Sequence, residues 1–254
     1  MRTRREFLNM MAAGAAAGVL ASTVAVSTAM ERARYKAILF DAFVLFDPRS
    51  VVAIAEQLFP GKGTELCNVW RTRQFEYSWL RSLTNQYVDF WQITQESLAF
   101  AAMMNKLALS QENRDQLMQA FLEIKPYSDA ASELKSFKNS GIKLGFLSNL
   151  TPRMIEANVK HSNLSGLFDY SLSTDAVKSY KPDPRAYQMG MDATKFRKEE
   201  IVFAAFGGWD AAGAKWFGYP TFWVNRWNVP SEQLGVSPDG IGSNLADLAK
   251  FVNA

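Results

Sequence analysis

Ala37-Ile38-Leu39-Phe40-Asp41-Ala42-Phe43-Val44-Leu45-Phe46-Asp47 decides how the chain is read. A short apolar run stops at a carboxylate, and the same event recurs twice further on. Leu144-Gly145-Phe146-Leu147 gives way to Ser148-Asn149, and Ile201-Val202-Phe203-Ala204-Ala205 to Gly207-Gly208 and then Asp210. Runs without polar alternation fit strands covered on both faces, as in a parallel sheet. Helical stretches separate them, so the expected class is α/β, with a Rossmann-like, mostly parallel sheet as its core. Polar groups just past strand ends are expected to converge, because open parallel sheets bind ligands at the carboxyl ends of their strands.

Outward from the first strand, residues 49–126 hold only helical patterns. Leu66, Trp70, Tyr77 and Leu80 keep helical spacing, with Arg71, Phe75 and Trp79 one turn apart on a neighbouring stripe. Residues 91–105 and 111–124 predict two more helices, the second N-capped by Ser110. The block reads as a helical cap over residues 49–126, inserted into a core of residues 31–48 and 127–254.

The bulk numbers narrow the chemistry. In 254 residues, 28 Lys and Arg face 25 Asp and Glu, too small an excess for a nucleic-acid footprint. One cysteine, Cys67, excludes an intrachain disulfide and any multi-cysteine zinc site, and one histidine, His161, excludes His-rich metal sites. No protease motif surrounds Cys67 or His161, and His161 is expected to be exposed and inert. Catalysis then falls mainly to carboxylates, Lys, Arg, Ser, Asn and Tyr.

Residues 1–30 have a different composition. Arg4-Arg5 precedes an Ala/Gly-rich apolar run from Met10 to Val26, and Ser27-Thr28-Ala29 offers small residues for cleavage. This resembles a bacterial twin-arginine export signal. The run is short and weakly hydrophobic for a membrane anchor. The resemblance implies export to the periplasm by the twin-arginine machinery. Without these residues the chain keeps 25 basic and 24 acidic side chains. Such a balance favours small molecules as partners.

Asp41, Ser148-Asn149, Lys181-Pro182-Asp183 and Asp210 follow one another in the four-motif order of the haloacid dehalogenase superfamily, which the chain resembles from residue 35 to its end. Within it the chain is most similar to the type II L-2-haloacid dehalogenases. That likeness runs through Phe59-Pro60-Gly61, Trp70-Arg71, Glu76-Tyr77, Tyr180-Lys181-Pro182-Asp183, Trp209-Asp210-Ala211 and Asn225-Arg226. Phosphatases of the superfamily carry a second Asp two residues after the nucleophile. Here that position is Phe43, which can neither donate a proton nor hold a metal.

The resemblance implies hydrolysis of short-chain L-2-haloalkanoates to D-2-hydroxyalkanoates, with inversion and with no metal or other cofactor. Asp41 would be the nucleophile that forms an aspartyl ester. Arg71 and Asn149 would take the halide. Ser148, with the amides of Ala42 and Phe43, would hold the substrate carboxylate. Lys181 would balance the nucleophile's charge and pair with Asp210, with Tyr187 supporting that network. Phe43, Phe75, Phe90 and Trp209 would wall the pocket. A homodimer is left open.

Three departures accompany these matches. The family's Gly-Thr-Leu after the nucleophile is replaced by a shorter Val44-Leu45, and its Ser and Asn before the Trp-Asp pair correspond to Ala205 and Gly207. The groups absent here orient the nucleophile and the hydrolytic water in relatives. The alternatives are a phosphatase of the same superfamily and a catalytically impaired protein that binds small carboxylates.

Overall fold

A computed structural model describes residues 35–253; the export-signal reading of residues 1–30 lies outside them. Six parallel strands form one sheet: β1 (Ala37–Phe40), β2 (Lys143–Ser148), β3 (Tyr170–Ser173), β4 (Ile201–Ala205), β5 (Thr221–Val224) and β6 (Gly240–Gly242), in the order β3-β2-β1-β4-β5-β6. β1 is flanked by β2 and β4, so strand order runs outward on both sides of it and the carboxyl end of β1 is a topological switch point.

Ten α-helices complete the described fold: α1 (Ala42–Leu45), α2 (Arg49–Leu58), α3 (Gly63–Leu83), α4 (Phe90–Met104), α5 (Gln111–Ala120), α6 (Ala130–Asn139), α7 (Pro152–His161), α8 (Pro184–Thr194), α9 (Gly208–Phe217) and α10 (Leu245–Val252). The sequence patterns single out three strands. β3, β5 and β6 are less evident because they are only three or four residues long, and β3 and β6 are not uniformly apolar. Ser110 caps α5 as expected, its hydroxyl accepting from the Asn113 amide at 3.1 Å, but the helix stops at Ala120.

Side-chain alternation along the strands divides the interior. Ile38, Phe40, Leu144, Phe146, Val202 and Ala204 face one layer, while Ala37, Leu39, Leu147, Ile201, Phe203 and Ala205 face the other. Leu66, Trp70 and Phe90 of the helical block join the first layer, so α3 and α4 share its apolar core.

The buried stripe of α3 differs from expectation. Leu66 and Trp70 are buried, but it continues through Gln74 and Ser78, and Leu80 is 58% exposed. The reason is polar pairing with α4: Trp70 Nε1 donates to the Thr94 carbonyl at 2.8 Å, and Gln74 Nε2 to Thr94 Oγ1 at 3.0 Å. Gly63 lets α3 start directly against the Ala55–Glu56 main chain, where a Cβ would collide. The Glu56 carboxylate accepts from the amides of Gly61 and Thr64 there, satisfying donors at a positive helix end.

Candidate active site

Asp41 directly follows β1 and caps α1. Its amide donates to the Ala204 carbonyl at 3.0 Å, and its Oδ2 accepts from the Phe43 amide at 3.0 Å. That second bond commits the Phe43 amide, one of those expected to hold a substrate carboxylate, to the Asp41 side chain instead. Asp41 is only 8% exposed, and it lines a cavity of about 520 Å³.

Lys181, from the loop before α8, places Nζ 2.8 Å from Asp41 Oδ1 and 2.6 Å from Asp210 Oδ2. Asp210 lies in the first turn of α9, and Tyr187 Oη donates to its Oδ1 at 2.7 Å. Lys181 and Tyr187 are buried behind the cavity wall, whereas Asp41 and Asp210 line it. Burial alone would lower the Lys181 pKa, but Asp210 and Asp41 outweigh it and the net shift is upward, so the ammonium stays charged. Burial raises Asp210 to about 6; Lys181 opposes that shift and the like charge of Asp41 adds to it.

The structure brings both motif residues at the end of β2 to the same place. Ser148 Oγ accepts from the Leu150 amide at 3.1 Å, closing the turn that delivers Asn149. Asn149 Oδ1 accepts from the Lys181 amide at 3.0 Å, so its amino end is the one left to donate. Both residues line the cavity.

Helix α3 supplies the opposite wall. Residues four apart share a helix face, and Arg71, Phe75 and Trp79 all line the cavity. Arg71 Cζ lies 5.1 Å from the Trp227 ring centre, and no ion pair engages its guanidinium among the described residues. Desolvation lowers its pKa, yet an arginine stays charged at neutral pH. Phe75 and Trp79 meet Trp209 edge-on at 5.2 and 5.5 Å, and Trp79 Nε1 donates to the Lys181 carbonyl at 3.3 Å.

Phe43, Phe90 and Trp209 also line the cavity; Ala42 is fully buried and does not. Phe206, Gly207 and Trp227 are lining residues that motif reading left without a binding role. The only sequence signal for the two aromatics was their place beside Gly207 and Arg226. A Cβ on Gly207 would come 2.8 Å from Trp209 Nε1, so glycine there admits the indole. Cys67 touches the cavity, but burial above all pushes its thiol up to about 12, and His161 is exposed at the end of α7. No hydrogen bond joins them among the described residues. No helix among those residues is long and apolar enough to cross a membrane.

Comparison with known proteins gives a consistent set. The model of the haloacid dehalogenase-like hydrolases matches residues 16–218. The (S)-2-haloacid dehalogenase of Pseudomonas sp. strain YL is 42% identical over 205 residues, covering 80% of this chain and 88% of that protein. A solved L-2-haloacid dehalogenase superposes with a TM-score of 0.85 at 41% identity, over 87% of this chain and 99% of its own. Another, from Xanthobacter autotrophicus with chloropropionic acid covalently bound, gives a TM-score of 0.80 at 32% identity, over 86% and 98%.

Proposed function

The chain belongs to the haloacid dehalogenase-like hydrolases, and from that membership we infer that it hydrolyses the carbon–halogen bond of L-2-haloacids. The observation that carries this reading is Asp41 at a strand end, braced by Lys181, with Phe43 where a phosphatase needs its acid. Nine aromatic residues contribute to the wall of the cavity above Asp41, which suits an apolar haloalkyl group.

An Asp41 oxygen attacks C2 in line, and the halide leaves with the bonding pair toward Arg71 and the Asn149 amino group. Water then adds to Asp41 Cγ, and collapse returns the carboxylate and releases the 2-hydroxyacid inverted at C2. Asp210 lines the cavity with a pKa of about 6, which suits it to accept the water's proton. Lys181 keeps the two carboxylates from repelling one another and, once Asp41 is esterified, balances Asp210 alone. The covalently bound chloropropionic acid of the Xanthobacter enzyme supports an ester route.

The finer parts of the reading stand on sequence. The type II assignment rests on the motif series, and the cap and core bounds rest on the helical texture of residues 49–126. Arg4-Arg5 with its apolar run supports twin-arginine export, a periplasmic location and passage through that machinery. A homodimer belongs to the same set of proposals. Halide release from L- but not D-2-chloropropionate, unchanged after dialysis against a chelator, tests the activity. Phosphate release from a phosphomonoester that depends on added Mg²⁺ would return the chain to the phosphatases. Ligand-induced thermal shift without halide release would make it a binding protein.

A further inference from the structure

The cavity is larger than a short haloalkanoate requires. At about 520 Å³ it falls in the range of roughly 300–1,000 Å³ used for drug-sized ligands. 2-Chloropropionate fills on the order of 100 Å³, the share of a few waters at about 30 Å³ each. Its reacting end is accounted for by Asp41, Ser148, Asn149 and Arg71. Among the other lining residues, Phe43, Phe206 and Trp227 form a second group of rings on the core side.

Phe43 and Phe206 stand 6.1 Å apart between ring centres, and Phe206 meets Trp227 edge-on at 5.0 Å. All three are half-buried and line the cavity. Their supports are rigid. Phe206 is held by its carbonyl, which accepts from Trp223 Nε1 at 2.9 Å. Trp227 rides a tight loop clamped by Asn225, whose side chain accepts from the Val229 amide at 3.0 Å and donates to the Val229 carbonyl at 2.8 Å. Arg71 over the Trp227 face fixes that ring from the cap side. Half-buried rings that line a cavity in this way favour an aromatic guest over a flexible chain, because aromatic pairs gain from offset and edge-on geometry beyond the area they bury.

We propose that Phe43, Phe206 and Trp227 form a subsite for the C2 substituent of the substrate, and that this enzyme selects L-2-haloacids bearing an aromatic ring. The proposal rests on the dehalogenase reading and names the substrate class of that site. Phe206 and Trp227 become specificity-determining residues, while the reaction at C2 stays with Asp41.

The test compares L-2-bromo-3-phenylpropionate, L-2-bromohexanoate and L-2-bromopropionate by bromide release. The phenyl substrate is expected to exceed bromopropionate at least tenfold in kcat/KM and bromohexanoate severalfold. Phe206→Ser and Trp227→Ala should each lower the phenyl-to-propionate ratio at least fivefold. That ratio is unaffected by how much of a variant preparation is active. Phe206→Ser also leaves the Arg71–Trp227 contact in place. No preference for the phenyl substrate, hexanoate used as well as phenyl, or an unchanged ratio in both variants would overturn the subsite. If no bromide appears from any substrate, the dehalogenase reading fails by itself. The subsite is then judged by calorimetric binding, and 3-phenylpropionate binding no tighter than propionate would overturn it.

Discussion

The Lys181 ammonium lies 2.6 Å from Asp210 and 2.8 Å from Asp41, so one buried cation is shared by two carboxylates that the chain brings from 169 residues apart (41 to 210). The Lys181 ammonium offsets the mutual repulsion of the two carboxylates. Removing one partner changes the others, and that coupling sets most of what can be measured.

Asp41→Asn should abolish halide release while the protein stays folded. The amide oxygen can still accept from the Phe43 amide, and Lys181 keeps Asp210. Asp41→Ala should be equally inactive and in addition lose the cap of α1, a loss worth about 1 kcal/mol. Halide assay and thermal unfolding on both variants check this. Turnover surviving in Asp41→Asn would remove the ester mechanism.

Arg71 is expected to act by geometry as well as charge. Arg71→Ala should lose about 10²–10³ in rate, the usual effect of one lost transition-state donor. Arg71→Lys should fall between, since a compact ammonium cannot both cover the Trp227 ring and reach a departing halide with a planar fork. Rates within twofold of wild type for both variants would make Arg71 a solvated surface charge.

The pH dependence has two opposite signs. In the free enzyme Asp210 takes up a proton as pH falls through about 6, and the second step loses its base once Asp210 is protonated in the ester as well. Esterification removes the like charge of Asp41 that helps raise Asp210, so the acid limb of the rate should lie below the free enzyme's value of about 6. Stability runs the other way for this group. A folded-state pKa raised above the ordinary 3.8 contributes stability that is fully present below that value and lost as pH rises through about 6. Activity should thus fall as pH drops below about 6 without a matching fall in unfolding temperature caused by Asp210. Parallel loss of both would mean that unfolding, and not titration in the site, sets the acid limb.

The ester step should be the slow one. On the proposed roles, alkylation has its nucleophile in Asp41 and its halide donors in Arg71 and Asn149, but Ala205 and Gly207 offer no side-chain donor to the water. Rapid-mixing assays should show a burst of halide before slower turnover. Mass spectrometry of quenched enzyme should find the Asp41 peptide heavier by substrate minus halide. Fast steady turnover with neither burst nor adduct would mean that the water is well held by other groups of the site.

Much of this protein is determined by local sequence. Apolar runs that stop at Asp41, Ser148-Asn149 and the Gly207–Asp210 turn specify a parallel sheet and the edge where its ligand binds, because strand burial and strand-end polarity are short-range patterns. The spacing of Arg71, Phe75 and Trp79 likewise determines that they share one helix face. Tertiary structure alone decides which polar groups remain free. The Phe43 amide bonds to Asp41, Asn149 turns its carbonyl to Lys181, and Arg226 from beyond β5 donates to the Val44 carbonyl of α1 at 3.0 Å. The aromatic wall also escapes the sequence. An aromatic residue after a strand looks the same whether it packs in a core or faces a cavity, and Phe43, Phe206 and Trp227 become one surface only when β1, β4 and β5 lie side by side in the sheet.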